Sequence, residues 1–149
     1  MNLLTMRQNN GPAQPLTIYV DGSLRNLSDA GAAAIALAPG GYFLGWLSRK
    51  LARMTNNEAE YNAVLLGLDL AQCLGRRTVE IRSDSEVVVR QVMGLSRVNS
   101  TRLRPLHRQT CARIAQFEQV RLHHVPREQN MMADALATLA AAGQLVRMP

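Results

Sequence analysis

The sequence predicts a single α/β domain on a five-stranded mixed sheet, three strands in a meander and then βα units, with helices on both faces. Three observations carry this expectation. The run LTIYVDG near the start alternates apolar and polar residues with a period of two. The spacing of apolar residues changes to the helical period at Thr55. Beyond it, the remaining strand-like runs, 77–84 and 117–125, are separated from each other by helical segments. A meander followed by strand–helix units leaves few topologies, because sequential elements tend to be neighbours and parallel crossovers turn right-handed.

In chain order, segment 16–22 puts Leu16, Ile18 and Val20 on one face and Thr17, Tyr19 and Asp21 on the other, so Asp21 is expected to end a buried strand. The loop RNLSDAG follows. AAAIALAP and GYFLGWLSRK, separated by Pro39-Gly40-Gly41, then read as a hairpin that continues the sheet. The helix TNNEAEYNAVLLGLDLAQCLG should begin at about residue 56, where Thr55 and Glu58 fit a capping box, and stop at Gly75, a natural C-cap. RTVEIRSD (77–84) reads as a strand and SEVVVRQVMG as a short helix. TRLRPLHRQTCARIAQF reads as a long helix, FEQVRLHHV as the last strand and REQNMMADALATLAAAG as the closing helix. Residues 1–15 are expected to be a flexible lead-in, 16–142 the domain and 143–149 a tail.

The 149 residues suit one core, and no apolar run approaches the roughly 18 residues of a membrane span. The opening stretch lacks the continuous apolar core of a secretory signal, and Cys73 and Cys111 fit no metal-binding or redox spacing. They are read as reduced core thiols of a cytoplasmic protein. The net charge of +6 favours a polyanionic partner such as nucleic acid, although an arginine-rich composition with Lys50 as the sole lysine makes charge alone a weak pointer.

Four acids stand out by position. They are Asp21 on the first strand, Glu60 in the first turn of the first helix (with Glu58 as its neighbouring alternative), Asp84 where strand meets helix, and Asp134 early in the last helix. Strand ends and helix starts gather at a topological switch, so the four can converge there. Carboxylates brought together repel, and hard oxygen donors without Cys or His point to Mg²⁺ or Mn²⁺, ions that activate water for phosphodiester hydrolysis. Each acid also has an ordinary alternative. Asp21-Gly22 can be a turn, Asp84 a helix N-cap and Glu60 a helix-dipole partner. Asp134, in the small apolar run MMADALATLA, has poor helix propensity and no obvious partner.

The segments IYVDGS, TNNEAEYNAVLLGL, IRSDSEVVVRQVMG and HVPREQNMMADALA resemble, in order and spacing, the four active-site motifs of type 1 ribonucleases H. They are most similar to the branch found in bacteria, archaea and plant-type domains. The resemblance spans residues 16–142 and implies the ribonuclease H-like fold. It also implies a monomeric endonuclease without an obligate protein partner, cutting the RNA strand of RNA–DNA hybrids with two Mg²⁺ ions (Mn²⁺ a possible substitute) and leaving 5′-phosphate and 3′-hydroxyl ends. The implied metal ligands are Asp21, Glu60, Asp84 and Asp134, with Glu58 as the capping partner. Asn56 and Asn57, with Asn26 as a third member, match positions that contact the minor groove of the hybrid, where the 2′-OH identifies RNA. Arg53 and Thr55 match a pocket for a phosphate of the DNA strand.

Two departures from the family pattern stand out. Only GLSRVNS lies where many relatives carry a long basic insertion, leaving Arg97, Arg102 and Arg104 as partial compensation. PREQN replaces a mobile Gly-His segment whose imidazole assists the reaction, with Arg127 or Arg147 as candidate substitutes. His123 and His124 are expected to point one inward and one outward. Met131 and Met132 are expected to fill the core, and Asp69 and Glu80 to be solvated. The alternatives to a hybrid nuclease are another nuclease of the same superfamily and a non-catalytic nucleic-acid-binding module.

Overall fold

The structure is a computed structural model that describes residues 14–26 and 28–144. Most of the lead-in, and the tail beyond Gln144 including Arg147, lie outside the described residues. Three strands open the fold: β1 (Leu16–Arg25), β2 (Asp29–Leu37) and β3 (Phe43–Leu51). They are followed by α1 (Asn56–Cys73), β4 (Thr78–Ser83), α2 (Glu86–Val92), α3 (Leu103–Ile114), β5 (Gln119–His124) and α4 (Met131–Ala141). The sheet order is β3-β2-β1-β4-β5, with β1–β2 and β2–β3 antiparallel and β1–β4 and β4–β5 parallel.

Strand β1 runs past Asp21 to Arg25, so the expected strand end is corrected. What ends at Val20 is the pairing with β4, whose last register partner is Ser83, while the antiparallel ladder with β2 continues to Arg25↔Asp29. The reversal between these strands is tight, and Asn26 takes a left-handed conformation (φ 60°), which asparagine tolerates better than most residues. At the β2–β3 hairpin Gly41 (φ 86°) donates its N–H to the Ala38 carbonyl at 2.8 Å.

Helix α1 packs on one face of the sheet. Leu16, Ile18 and Val20 of β1 meet Tyr61, Val64 and Leu68 in the main core, which Ile81 of β4 and Val88 of α2 extend. Helix α4 covers the opposite face through Ala133, Leu136 and Ala137 against Ala33 and Ile35. Strand β2, DAGAAAIAL, lies between helices on both faces, and its small side chains let both approach. A Cβ on Gly31 would collide with backbone atoms of Ala137 and Ala141. Helix α1 closes on Gly75 (φ 66°) with Arg76 N–H to the Ala71 carbonyl and Gly75 N–H to the Gln72 carbonyl, the paired bonds of a Schellman cap.

Several other expectations are corrected. The closing helix is interrupted: Arg127–Gln129 form a 3-10 turn, and α4 begins only after Asn130, whose buried side chain is anchored on β1. Helix α3 is shorter than 101–117 at both ends. Met131 and Met132 are 67% and 55% exposed because α4 turns its alanines, not its methionines, to the sheet. His123 and His124 are both exposed on the edge strand β5, where only Leu122 is buried. Cys73 is exposed, at the open end of α1, and Cys111 is half-buried, so neither is a core thiol. Asp69 is held by Arg113 at 2.7 Å, and Glu80 lies 3.9 Å from His123. Among the described residues no helix is long and apolar enough to cross a membrane.

Candidate active site

Where β1 parts from β4, the register places Asp21 beside Asp84, each one residue beyond the last pair Val20↔Ser83. Helix α1 adds Glu60 through a close approach to β1. A Cβ on Gly22 would overlap the backbone of Ala59, and the Gly22 N–H donates to Glu60 Oε1 at 2.6 Å. Asp-Gly is therefore not a turn; the glycine lets strand and helix touch. Carboxylate oxygens of Asp21, Glu60 and Asp84 lie within 4.8 Å of one another. Asp134, in the first turn of α4, completes the wall of a cavity of about 370 Å³ that is also lined by Ser23, Asn56, Ser85 and Arg127.

The ordinary alternatives for these acids do not hold. Ser85, not Asp84, caps α2, its hydroxyl accepting from the Val88 N–H at 3.4 Å. Glu60 serves Gly22 rather than its own helix terminus, and Glu58 is the residue bonded to Thr55. The capping box is modified, since the Thr55 hydroxyl donates to Glu58 Oε1 at 3.0 Å and also accepts the Glu58 N–H at 3.3 Å.

Electrostatically the cluster is held against its own repulsion. Burial pushes Asp21 up to about 10, helped by the charges of Glu60 and Asp84 and by hydrogen bonding with Asp134 and Asp84. Burial also raises Glu60, to about 7. The Gly22 N–H opposes that rise, the Asp84 charge adds to it, a hydrogen bond from Asp21 opposes it and the Asp134 charge adds to it. Such a set of hard oxygen donors without His or Cys fits a divalent cation, whose charge would reverse both shifts.

A second cavity of about 500 Å³ adjoins the first at Leu24. It gathers Asn26, Ser28, Asp29, Arg53, Thr55 and Arg102. Three of the predicted substrate-binding residues thus share one pocket, with Asn56 in the acid cavity, while Asn57, half-buried in the same helical turn, lines neither. Of the three compensating arginines only Arg102 reaches this pocket, 3.4 Å from Glu58. Neither His123 nor His124 lines the acid cavity, whereas Arg127 does. Sequence reading missed the Gly22 N–H and the bond from Asn130 to β1. The only signal for the first was a glycine beside an acid inside a strand pattern, where close backbone approach competes with a turn.

A mixed 3-2-1-4-5 sheet, helices on both faces and an acid cluster at the β1–β4 switch define an α/β protein of the ribonuclease H-like fold. A family model described as reverse transcriptase-like matches residues 19–140. The ribonuclease HI of Halobacterium salinarum is 33% identical over 123 residues, 82% of this chain and 62% of that protein. A bifunctional protein of Mycobacterium tuberculosis is 36% identical over 124 residues, 82% of this chain and 34% of that one. The chain therefore spans less than two thirds of the length of these curated relatives.

Among solved structures, RNase H1 from Halobacterium salinarum superposes with a TM-score of 0.82 at 30% identity, covering 87% of this chain and 98% of that one. The N-terminal RNase H domain of the mycobacterial protein gives 0.81 at 33%, covering 87% and 94%. LC11-RNase H1, solved in complex with an RNA/DNA hybrid, gives 0.80 at 30%, covering 86% and 97%. The chain belongs to the type 1 ribonuclease H family.

Proposed function

We propose that this chain is an endoribonuclease that hydrolyses the RNA strand of RNA–DNA hybrids, leaving 5′-phosphate and 3′-hydroxyl ends, with residues 16–142 as the catalytic domain. The observation that carries the reading is the convergence of Asp21, Glu60, Asp84 and Asp134 on one cavity in a chain of this family. A relative solved on an RNA/DNA hybrid supports the substrate class.

In this reading the four carboxylates hold two Mg²⁺ ions, with Mn²⁺ as a substitute. When bound, such ions lower the pKa of a coordinated water and stabilise the leaving oxygen. The chain's own residues supply the rest. The Gly22 N–H orients Glu60 so that one oxygen is held by β1 and the other remains available to the cavity. Arg127, which lines the cavity, is the candidate cation for offsetting charge that builds on the phosphate. Arg53, Thr55 and Arg102 suit a phosphate of the DNA strand, a requirement that would select hybrid over double-stranded RNA. Asn56, Asn57 and Asn26 offer amides to sugar edges, where the 2′-OH marks the RNA strand. On the family resemblance we also read the chain as a monomer, and on cysteine usage as cytoplasmic.

The direct test incubates the folded protein with end-labelled RNA–DNA hybrid, double-stranded RNA and DNA carrying a single ribonucleotide, each with MgCl₂ or MnCl₂. Cleavage of the hybrid RNA strand is the expected result. Intact hybrid in both metals overturns the proposal, and hybrid binding without turnover would instead favour a non-catalytic binding module. Light scattering of the eluted protein tests the monomer.

A further inference from the structure

Asn130 joins two elements that line the acid cavity, β1 and α4. It is 1% exposed and sits at the joint between the 3-10 turn and α4. Its Nδ2 donates to the Val20 carbonyl at 2.8 Å, which belongs to the peptide unit whose nitrogen is that of Asp21. Its own carbonyl accepts the Asp134 N–H at 3.0 Å, the first bond of α4, and its N–H closes the preceding turn on Arg127. One residue thus ties the peptide that carries Asp21 to the helical turn that carries Asp134.

The way Asn130 uses its side chain is unusual for its position. An asparagine at a helix N-cap ordinarily turns its side-chain oxygen onto the N–H of the second or third helical residue. Asn130 makes no such bond, and its Oδ1 is a buried acceptor without a partner among the described residues. The amide nitrogen is spent on β1 instead. A residue selected only to start α4 would use the oxygen, and a serine or aspartate would serve at least as well. Only asparagine, at this length, gives a neutral donor that reaches Val20 while leaving its backbone free to begin the helix. The orphaned oxygen is the cost of that choice, and buried unsatisfied groups in a folded protein call for such a reason.

We propose that Asn130 is a positioning residue of the active site, fixing the separation and aim of the Asp21 and Asp134 carboxylates by bonding to the Asp21 peptide. The proposal rests on reading the four acids as a divalent-cation site. It acts through those acids and touches no substrate, as outer hydrogen bonds do when they orient metal ligands. Removing such a bond typically lowers metal affinity or activity about 10- to 100-fold.

The test compares the full-length protein with Asn130→Ser and Asn130→Thr, both able to cap α4 and both too short to donate to Val20 as the amide does. Two quantities are read: the rise in Tm on adding MgCl₂, and the MgCl₂ concentration giving half-maximal cleavage of hybrid at fixed hybrid occupancy. The expected outcome is a folded Asn130→Ser protein that binds hybrid in EDTA as the wild type does. Its MgCl₂ half-saturation should rise about tenfold or more, and its Mg²⁺-induced Tm rise should shrink. A folded variant with the wild-type half-saturation and Tm rise overturns the proposal and leaves Asn130 a helix joint. Should both variants fail to fold, NMR of the wild type decides. The Asn130 side-chain amide protons must be protected from exchange, and exchange as fast as that of an exposed asparagine overturns the proposal. A wild type with neither Mg²⁺-induced Tm rise nor cleavage refutes the four-acid reading itself, a result distinct from failure at Asn130 alone.

Discussion

Replacing Gly22 with alanine tests the contact that brings α1 to the acid cavity. The added Cβ would overlap Ala59 backbone atoms and come within 2.7 Å of the Glu60 nitrogen, and neither is the end of a flexible side chain that can swing away. Relief requires β1 and α1 to separate. Overpacking of this kind costs roughly 2 kcal/mol. Separation also lengthens the 2.6 Å bond from the Gly22 N–H to Glu60, a hydrogen bond to a charged group worth about 2 kcal/mol. Together these approach about 4 kcal/mol, or a fall in Tm of about 12 °C for a domain of this size. Because Glu60 moves with α1, the MgCl₂ requirement for hybrid cleavage should rise as well. Differential scanning calorimetry reads the first effect and a MgCl₂ titration of cleavage the second. A Gly22→Ala protein within about 2 °C of wild type, or one with the wild-type metal requirement, would refute the reasoning.

Three further outcomes follow from the same geometry. Asp21→Asn should abolish cleavage and stabilise the metal-free protein. Asp21 and Glu60 titrate far above their ordinary values in the fold, so between about pH 4 and pH 10 the folded state binds more protons than the unfolded one and stability falls as pH rises. The Tm advantage of Asp21→Asn in EDTA should therefore be small at pH 4 and larger at pH 8, and equal Tm values at both pH values would contradict the electrostatic account. Arg53→Ala should weaken hybrid binding about tenfold and reduce the slope of log affinity against log salt by about one; fluorescence anisotropy at several salt concentrations reads both, and an unchanged slope would remove Arg53 from the phosphate contacts. Tyr61→Phe removes the 2.7 Å bond to Gln91 Oε1 in the buried layer behind Glu60. It should cost about 2 kcal/mol because it leaves a buried acceptor unpaired, near 6 °C in Tm. Thermal unfolding at wild-type temperature would show that the bond contributes nothing.

Much of the fold was legible because its signals are local. The change of period at Thr55, the capping pair Thr55 and Glu58, and Gly75 at the helix end are each set by a few neighbouring residues. What the sequence concealed depended on partners far along the chain. The strand signal ends at Asp21-Gly22, yet Ser23–Arg25 are also strand because β2 is there to pair with them. The break in the closing helix is invisible in REQNMMADALA, where the bond that anchors its joint runs from Asn130 to Val20, 110 residues apart. Met131 and Met132 read as core by type and turned outward because the alanines beside them let α4 lie closer to the sheet. The acids were the most legible part of the candidate site because four of them stand at element ends in the order of one family's motifs, although only Asp134 lacked a local explanation. Asp134 violates helix propensity, and its proximity to Asp21 supplies a reason that propensity cannot.

The energetics of the site explain why its supports are backbone contacts rather than side-chain packing. Burial first, and the charges of Glu60 and Asp84 after it, drive Asp21 to about 10, so gathering the acids without a cation is unfavourable and the elements that carry them must hold them together by themselves. Side chains would yield through rotamer changes, whereas a strand touching a helix at Gly22 and a strand touching another helix at Gly31 can yield only if whole elements move. The Asp21 peptide is gripped from two sides, through the Gly22 N–H on Glu60 and through Val20 on Asn130. Those two bonds fix the main chain immediately before and after the aspartate, leaving its carboxylate little freedom to relax. Under the proposed reading the cavity is thereby shaped for a cation before one arrives. Preorganisation of this kind places the unfavourable work in folding, where the large core of α1, β1 and β4 offsets it, and not in the step that binds metal and substrate.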